Sequence, residues 1–321
     1  MHFPMICSSF KMIIRFFLKL LLIASVILVC DRGVGTILKL FYFRMESGEN
    51  YRTTYSIDST TADILVFGSS RANHNYVPDI FEDKLHNTFY NTGRDGNYVL
   101  YNYAIFKAIT GRYNPRLIII DIRPEELAYS AIEYYRLASL LPYYQSHPEI
   151  RRIVDYRSAF EKVKHVSAIY PYNSLILRIA MGNLKYSDKE EPSTKGYVPI
   201  VKIMKNKTID TLKINAFIID ENKILALKDI ISICKRKNIE LVFVFSPVWS
   251  IIQNTFCSSI ISDLCYENGI RYVDMSNHET FISNPRYFAD ISHLNDEGAR
   301  VFSTILATTQ IERKIFELNP Q

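Results

Sequence analysis

The sequence predicts an α/β protein: a three-layer, doubly wound and mostly parallel sheet with a helical insertion and an N-terminal transmembrane helix. Three observations predict it. Runs such as Ile64-Leu65-Val66-Phe67 and Leu117-Ile118-Ile119-Ile120 have the unbroken, β-branched hydrophobicity of strands buried on both faces. Segments with Leu, Ile and Val at helical spacing separate such runs, and this alternation builds a parallel sheet with helices on both sides. Ahead of all of them, Lys11 to Cys30 is an apolar run of membrane-crossing length.

The chain divides into an anchor (1–31), a membrane-proximal connector (32–60) and a domain (61–321) interrupted by an insertion at about 126–215. In the anchor, Arg15 and Lys19 interrupt the first half of the apolar run and must reach to the near interface, whereas Leu20 to Cys30 is continuous. A core that short also suits a signal peptide, but Val29 is bulky where cleavage wants a small residue, so the run reads as an uncleaved anchor. Lys11, Arg15 and Lys19 precede the core and hold the N-terminus in the cytoplasm, against a weaker opposing bias from Arg32, Lys39 and Arg44. The expected location is a single pass through the inner (cytoplasmic) membrane with the domain in the periplasm or at the cell surface. Ile37 to Met45 is an aromatic-rich, helical stretch with two readings: it rests on the membrane surface or packs against the domain.

Within the domain, the patterns place strands at 62–67, 116–121, 239–245 and 271–274, and helices at 98–110, 220–236, 254–268 and 295–308. Lys235-Arg236-Lys237 puts cations at the negative end of the second helix, and Asn238 ends it. In the insertion, Glu149 to Asn183 looks mainly helical with Pro171 breaking it, and Lys185 to Pro199 reads as a mobile polar loop. Tyr129, Tyr134, Tyr135, Tyr143, Tyr144, Tyr156, Tyr170 and Tyr172 suit sugar rings or a membrane interface as well as ordinary packing.

Composition excludes several classes. The net charge of +5 is modest and the basic residues are scattered, which argues against a nucleic-acid partner. Five cysteines show no Cys-x-x-Cys or Cys/His spacing for zinc; Cys234, Cys257 and Cys265 read as buried free thiols, with a bridge from Cys257 or Cys265 to Cys234 as the alternative. No P-loop, dinucleotide fingerprint or internal repeat is present, so neither a metal nor a cofactor is expected.

The chemistry-bearing motifs are Gly68-Ser69-Ser70, which follows the first strand of the domain, and Asp290-Ile291-Ser292-His293, which precedes its last long helix. A serine at the carboxyl edge of a parallel sheet and an Asp three residues before a His supply a nucleophile, a base and the group that orients the base. In order and context the two resemble the SGNH (GDSL-type) hydrolases, over roughly residues 60–125 and 215–310. The resemblance implies Ser70 as nucleophile, His293 as base and Asp290 as its orienter. It also implies that Phe89-Tyr90-Asn91-Thr92-Gly93-Arg94-Asp95-Gly96 forms a glycine-bearing turn, in which the amide of Gly96 or Gly93 joins that of Ser70 in an oxyanion hole.

One block departs from the family pattern. Where Gly-x-Asn-Asp should follow the second apolar strand, the chain reads Asp121-Ile122-Arg123-Pro124-Glu125, with three readings: Arg123 or Asn73 donates from that side, the site is a transferase-like variant, or the hydrolase activity has been lost. Arg71 and Asn73 are candidates to bind a substrate carboxylate, phosphate or sugar hydroxyl, or they stabilise the start of a helix. Ser246 and Trp249 either line the pocket or belong to a strand-ending turn. By resemblance the expected activity is that of an esterase or O-acyltransferase acting on acylated cell-envelope or exported glycans. The alternative is a non-catalytic SGNH-fold module that partners a membrane acyltransferase or polysaccharide machine.

Overall fold

The computed structural model describes residues 4–184, 193–205, 208–253 and 256–311. The strands are β1 (Ile64–Phe67), β2 (Phe89–Asn91), β3 (Leu117–Asp121), β4 (Asp210–Lys213), β5 (Glu240–Phe245), β6 (Ser250–Gln253) and β7 (Arg271–Asp274). The first five helices are α1 (Pro4–Phe43), α2 (Gly48–Asp58), α3 (Ser70–Asn75), α4 (Pro78–Leu85) and α5 (Val99–Arg112). The insertion holds α6 (Ala131–Arg136), α7 (Pro148–Val154), α8 (Glu161–Lys164) and α9 (Ile176–Asn183), and the rest of the domain α10 (Glu221–Lys237), α11 (Phe256–Asn268), α12 (Glu279–Ile282) and α13 (Asp296–Ile305).

The central sheet has the order β2-β1-β3-β5-β7 with every neighbouring pair parallel. Successive residues of its strands serve opposite faces. Leu65, Phe67, Ile118, Ile120, Leu241 and Phe243 pack in one core with α5 and α10, while Ile64, Val66, Leu117, Ile119, Val242 and Val244 pack in the other with α4 and α13. Because both faces are covered, the strands carry no polar alternation. From β1 the chain adds β2 on one side and then builds from β3 onward on the other. The two directions diverge at the carboxyl ends of β1 and β3, where an open parallel sheet leaves a crevice.

The expected strands match β1, β3, β5 and β7, and the expected helices match α5, α10, α11 and α13, to within a few residues at the ends. Asn238 ends α10 in the left-handed conformation, as expected. The insertion differs. Its expected long helix is broken into α7, α8 and α9, and Pro171 sits in a tight turn over Tyr170–Tyr172. β4 and β6 form a separate parallel pair that the sequence did not announce, because all four residues of β4 are exposed and no buried face marks them.

Of the loop expected to be mobile, residues 185–192 lie outside the described part, and the remainder is pinned. The Asn91 amide donates to the Lys195 carbonyl at 2.9 Å. Gly196 takes φ +86°, and a Cβ there would sit 1.9 Å from the Asn91 oxygen, so only glycine lets the loop approach this closely. Cys234 and Cys265 are free and buried, with burial pushing both thiols up to about 12, so the bridge between them is not formed. The Cys257 side chain lies outside the described residues.

α1 runs unbroken past the boundary expected at residue 31, and its stretch Lys11–Phe43 is long and apolar enough to cross a membrane. Its last turns dock on the insertion. The Asp31 carboxylate accepts from the amides of Ala168 (2.8 Å) and Ile169 (3.3 Å), and the Tyr42 hydroxyl, fully buried, lies 3.2 Å from that of Tyr143. Of the two readings of Ile37 to Met45, Tyr42 and Met45 follow the packed one, whereas Ile37, Leu40 and Phe41 stay exposed. The tyrosines of the insertion divide likewise: Tyr143, Tyr144 and Tyr172 are core residues and Tyr129, Tyr135 and Tyr156 face out.

Candidate active site

β1 delivers the serine through a turn that tolerates only glycine at residue 68. A Cβ there would fall 2.7 Å from that of Ala72 and 2.8 Å from the Asp121 carbonyl oxygen, so the strand-to-helix bend packs directly against the end of β3. Ser69 is buried and precedes α3, with its carbonyl accepting from the Asn73 amide. Ser70 opens α3 and is partly exposed, with its Oγ 2.7 Å from His293 Nε2.

The His293 loop is shaped by Asp290, whose Oδ1 accepts from the amides of Ser292 (2.8 Å) and His293 (3.0 Å) and from His293 Nδ1 (2.9 Å). A carboxylate only accepts, so Nδ1 carries the proton and Nε2 is left to accept from the Ser70 hydroxyl. Burial works to raise the Asp290 pKa, but the Ser292 amide and the His293 ring outweigh it and hold the carboxyl below its usual range. The structure thus joins residues 223 apart in sequence into a Ser–His–Asp array.

Asn75 holds the array together and no motif marked it. Fully buried at the end of α3, it accepts from the Leu294 amide beside His293 (3.3 Å) and donates to Ser246 Oγ after β5 (3.3 Å). Its carbonyl accepts from Ser303 of α13 at 3.1 Å. Ser246 is therefore a buried strut, and Trp249 is buried as well: its ring nitrogen donates to Thr208 and its amide to the Ile291 carbonyl, backing the His293 loop.

The glycine turn after β2 abuts α3. A Cβ on Gly93 would lie 2.4 Å from the Asn73 nitrogen, and the Gly93 amide already donates to Asn91 Oδ1 at 2.9 Å. Gly96 takes φ +65° and turns its carbonyl to Arg136 Nη1 at 2.7 Å. Between the two lies Asp95, to which the sequence alone attaches no role. Its carboxylate accepts from Asn73 Nδ2 (2.7 Å) and His74 Nε2 (3.2 Å), and His74 Nδ1 meets the Val198 carbonyl at 2.6 Å.

Both ring nitrogens of His74 therefore face acceptors. Burial lowers its pKa, but Asp95 and Val198 more than offset this and hold the imidazole above its usual range. Its ring lies edge-on to that of His293 at 5.8 Å. The available signal was its spacing: His74 stands four residues after Ser70, on the same face of α3. Beside it opens a cavity of about 290 Å³ lined by Asn73, His74 and Asp95, by Arg52 of α2 and by Val198 to Lys202 from the end of the insertion.

Of the expected substrate-binding arginines, Arg71 turns away from solvent and Arg123 stays at the surface. Arg71 is buried, in an ion pair with Asp121 (3.0 Å) and a hydrogen-bonded pair with Glu126 (3.0 Å), so it braces β3 instead of facing solvent. Arg123 is partly exposed and pairs with its neighbour Glu125 at 2.9 Å. The segment from Asp121 to Glu126 is thus a structural acid cluster. It is fastened further by the fully buried Lys223, which donates to the carbonyls of Glu126 (2.8 Å) and Ala128 (2.7 Å).

These features define a mixed α/β protein with a mostly parallel central sheet, a Ser–His–Asp array at its carboxyl edge and one N-terminal helix fit to cross a membrane. No protein-family model matches the chain, and no curated protein matches it. Among the described residues, no cluster of His, Cys, Asp and Glu is arranged to hold a metal ion.

Proposed function

We propose that the protein is a membrane-anchored serine esterase or O-acyltransferase of the SGNH type, acting outside the cytoplasm on acylated envelope or exported glycans. The observation that carries this reading is the line Ser70–His293–Asp290, with contacts of 2.7 and 2.9 Å in the order that nucleophilic catalysis needs. Ser70 Oγ attacks the acyl carbonyl as its proton passes to His293 Nε2. The tetrahedral oxyanion is met by the amides of Ser70 and Gly96. Collapse breaks the ester bond, and His293 returns the proton to the departing alkoxide, leaving an acyl-enzyme. Water or a sugar hydroxyl, deprotonated by the same histidine, then releases the acyl group. The glycan assignment rests on the resemblance and on the cavity beside His74, where Glu49, Arg52, Asn73, Asp95 and Lys202 offer hydrogen-bonding groups to a hydroxyl-rich chain alongside the apolar Val198 to Val201.

A fluorophosphonate probe on the full chain in detergent tests the reading. Labelling of wild type and Ser69→Ala, with loss in Ser70→Ala and His293→Ala, is the expected result. A folded wild type that does not label shifts the weight to a non-catalytic module partnering a membrane acyltransferase, the reading favoured by the absence of the family's asparagine after β3.

A further inference from the structure

A second cavity, of about 260 Å³, lies between α1 and the insertion, away from Ser70. On the α1 side it is lined by Arg32, Thr36 and Lys39, at positions i, i+4 and i+7 and so on one face of the helix. On the insertion side it is lined by Gln145, His165 and Ser167. Gly35, on the same face of α1, closes the joint: a Cβ there would lie 2.5 Å from that of Ala168.

The charge is one-sided, because none of the lining residues is acidic. Of the neighbouring carboxylates, Asp31 touches Arg32 at 3.4 Å but is committed mainly to Ser167 and to the amides of Ala168 and Ile169. Glu161 and Asp155, which act on His165, are held by Arg157 and Lys164 and by Tyr144, respectively. Inside, His165 is 7% exposed and neither of its ring nitrogens has a hydrogen-bond partner. Its ring is stacked on Tyr144, with centroids 3.6 Å apart. Burial pushes this imidazole down to about 4, so at neutral pH it is an uncharged donor. A buried polar group with no partner, facing a cavity rimmed by two cations, points to an anionic, hydrogen-bond-accepting guest.

The surroundings identify its source. Val34, Ile37 and Phe41, off the lining face of the same helix, are apolar and exposed. Phe160, Val163 and Val166 project outward from the segment just before Ser167. The cavity is therefore flanked by exposed apolar residues both on the helix that is long and apolar enough to cross a membrane and on the insertion segment beside it.

We infer that this cavity binds the phosphate headgroup of an anionic phospholipid, with Arg32, Lys39 and His165 on the phosphate and the flanking apolar residues against the acyl chains. The inference rests on α1 crossing the membrane and is independent of the serine chemistry.

Native mass spectrometry of the full chain released from detergent micelles tests it, with phosphatidylglycerol, phosphatidylcholine and inorganic phosphate as separate additions. Wild type is expected to retain phosphatidylglycerol in preference to phosphatidylcholine. Arg32→Gln/Lys39→Gln is expected to lose roughly tenfold or more of that adduct, and Arg32→Lys/Lys39→Arg to keep it. Equal retention by wild type and the Gln variant overturns the site. Displacement of the lipid by millimolar inorganic phosphate overturns the lipid assignment. Unchanged unfolding temperatures separate loss of the site from loss of the fold, and flotation of all forms with vesicles shows separately whether the anchor holds.

Discussion

At the scale of single residues, protonation decides the behaviour. Asp290 sets the tautomer of His293, so Asp290→Asn is expected to cut turnover by about 10³- to 10⁴-fold while leaving KM nearly unchanged, as steady-state kinetics on a chromogenic acyl ester will show. Glu126 answers to pH in the opposite sense from most carboxylates. Burial pushes its pKa from 4.5 to about 7, against the pull of Arg71. The folded protein then keeps a proton that the unfolded chain has released. This stability is fully present below about 4.5 and is lost as pH rises through about 7, a change of up to about 3 kcal/mol. Urea unfolding at a series of pH values is expected to show that decline in wild type and a flatter profile in Glu126→Gln. A slope that survives the substitution assigns it to another group.

At the scale of elements, the site depends on how α3 is held against the loops around it. Asn75 bridges α3, the end of β5 and the His293 loop. Asn75→Ala leaves the Leu294 amide and Ser246 without their buried partner, so a loss of about 1–3 kcal/mol is expected in chemical denaturation, together with slower fluorophosphonate labelling. Gly93 is constrained by space: a methyl group 2.4 Å from the Asn73 nitrogen cannot be accommodated without moving the first turn of α3. Gly93→Ala is accordingly expected to lower both thermal stability and labelling. Gly111→Ala is the matched control, since its added Cβ meets nothing within 4 Å.

At the scale of the molecule, the anchor and the domain share a core. Tyr42 and Met45 belong to the same buried cluster as Leu65 and Ile118, and the Arg94 guanidinium of the glycine turn is held by Glu49 (3.1 Å) and Asn50 (3.0 Å) of α2. A chain beginning at Tyr51 loses all four of these contacts, whereas one beginning at Asp31 keeps them. The shorter form is expected to unfold more readily, with the missing Tyr42 alone contributing about 3–5 kcal/mol, a difference that calorimetry on the two truncations measures. The continuity of α1 also fixes how its membrane-length apolar stretch is set against the insertion, which a flexible tether cannot do.

The sequence by itself determined the parallel sheet, the apolar N-terminal helix and the pair of motifs that became the Ser–His–Asp array. Each is written locally: buried strands as unbroken β-branched runs, the helix as a long apolar stretch, and Asp290–His293 as neighbours within one loop. Only the tertiary structure decided which polar residues lie beside the array and which turn inward. Arg71 follows Ser70 yet turns inward, because Asp121 and Glu126 wait beneath it on a distant strand and its following turn. His74, Asp95 and Asn75 carried no motif and acquire their positions from partners 21 to 228 residues away. The helical character of 149–183 was legible in its spaced Leu, Ile and Val, as in Ile150, Ile153 and Val154 of α7, but where that run breaks into α7, α8 and α9 was decided by packing, and β4, exposed along its whole length, leaves no periodic trace.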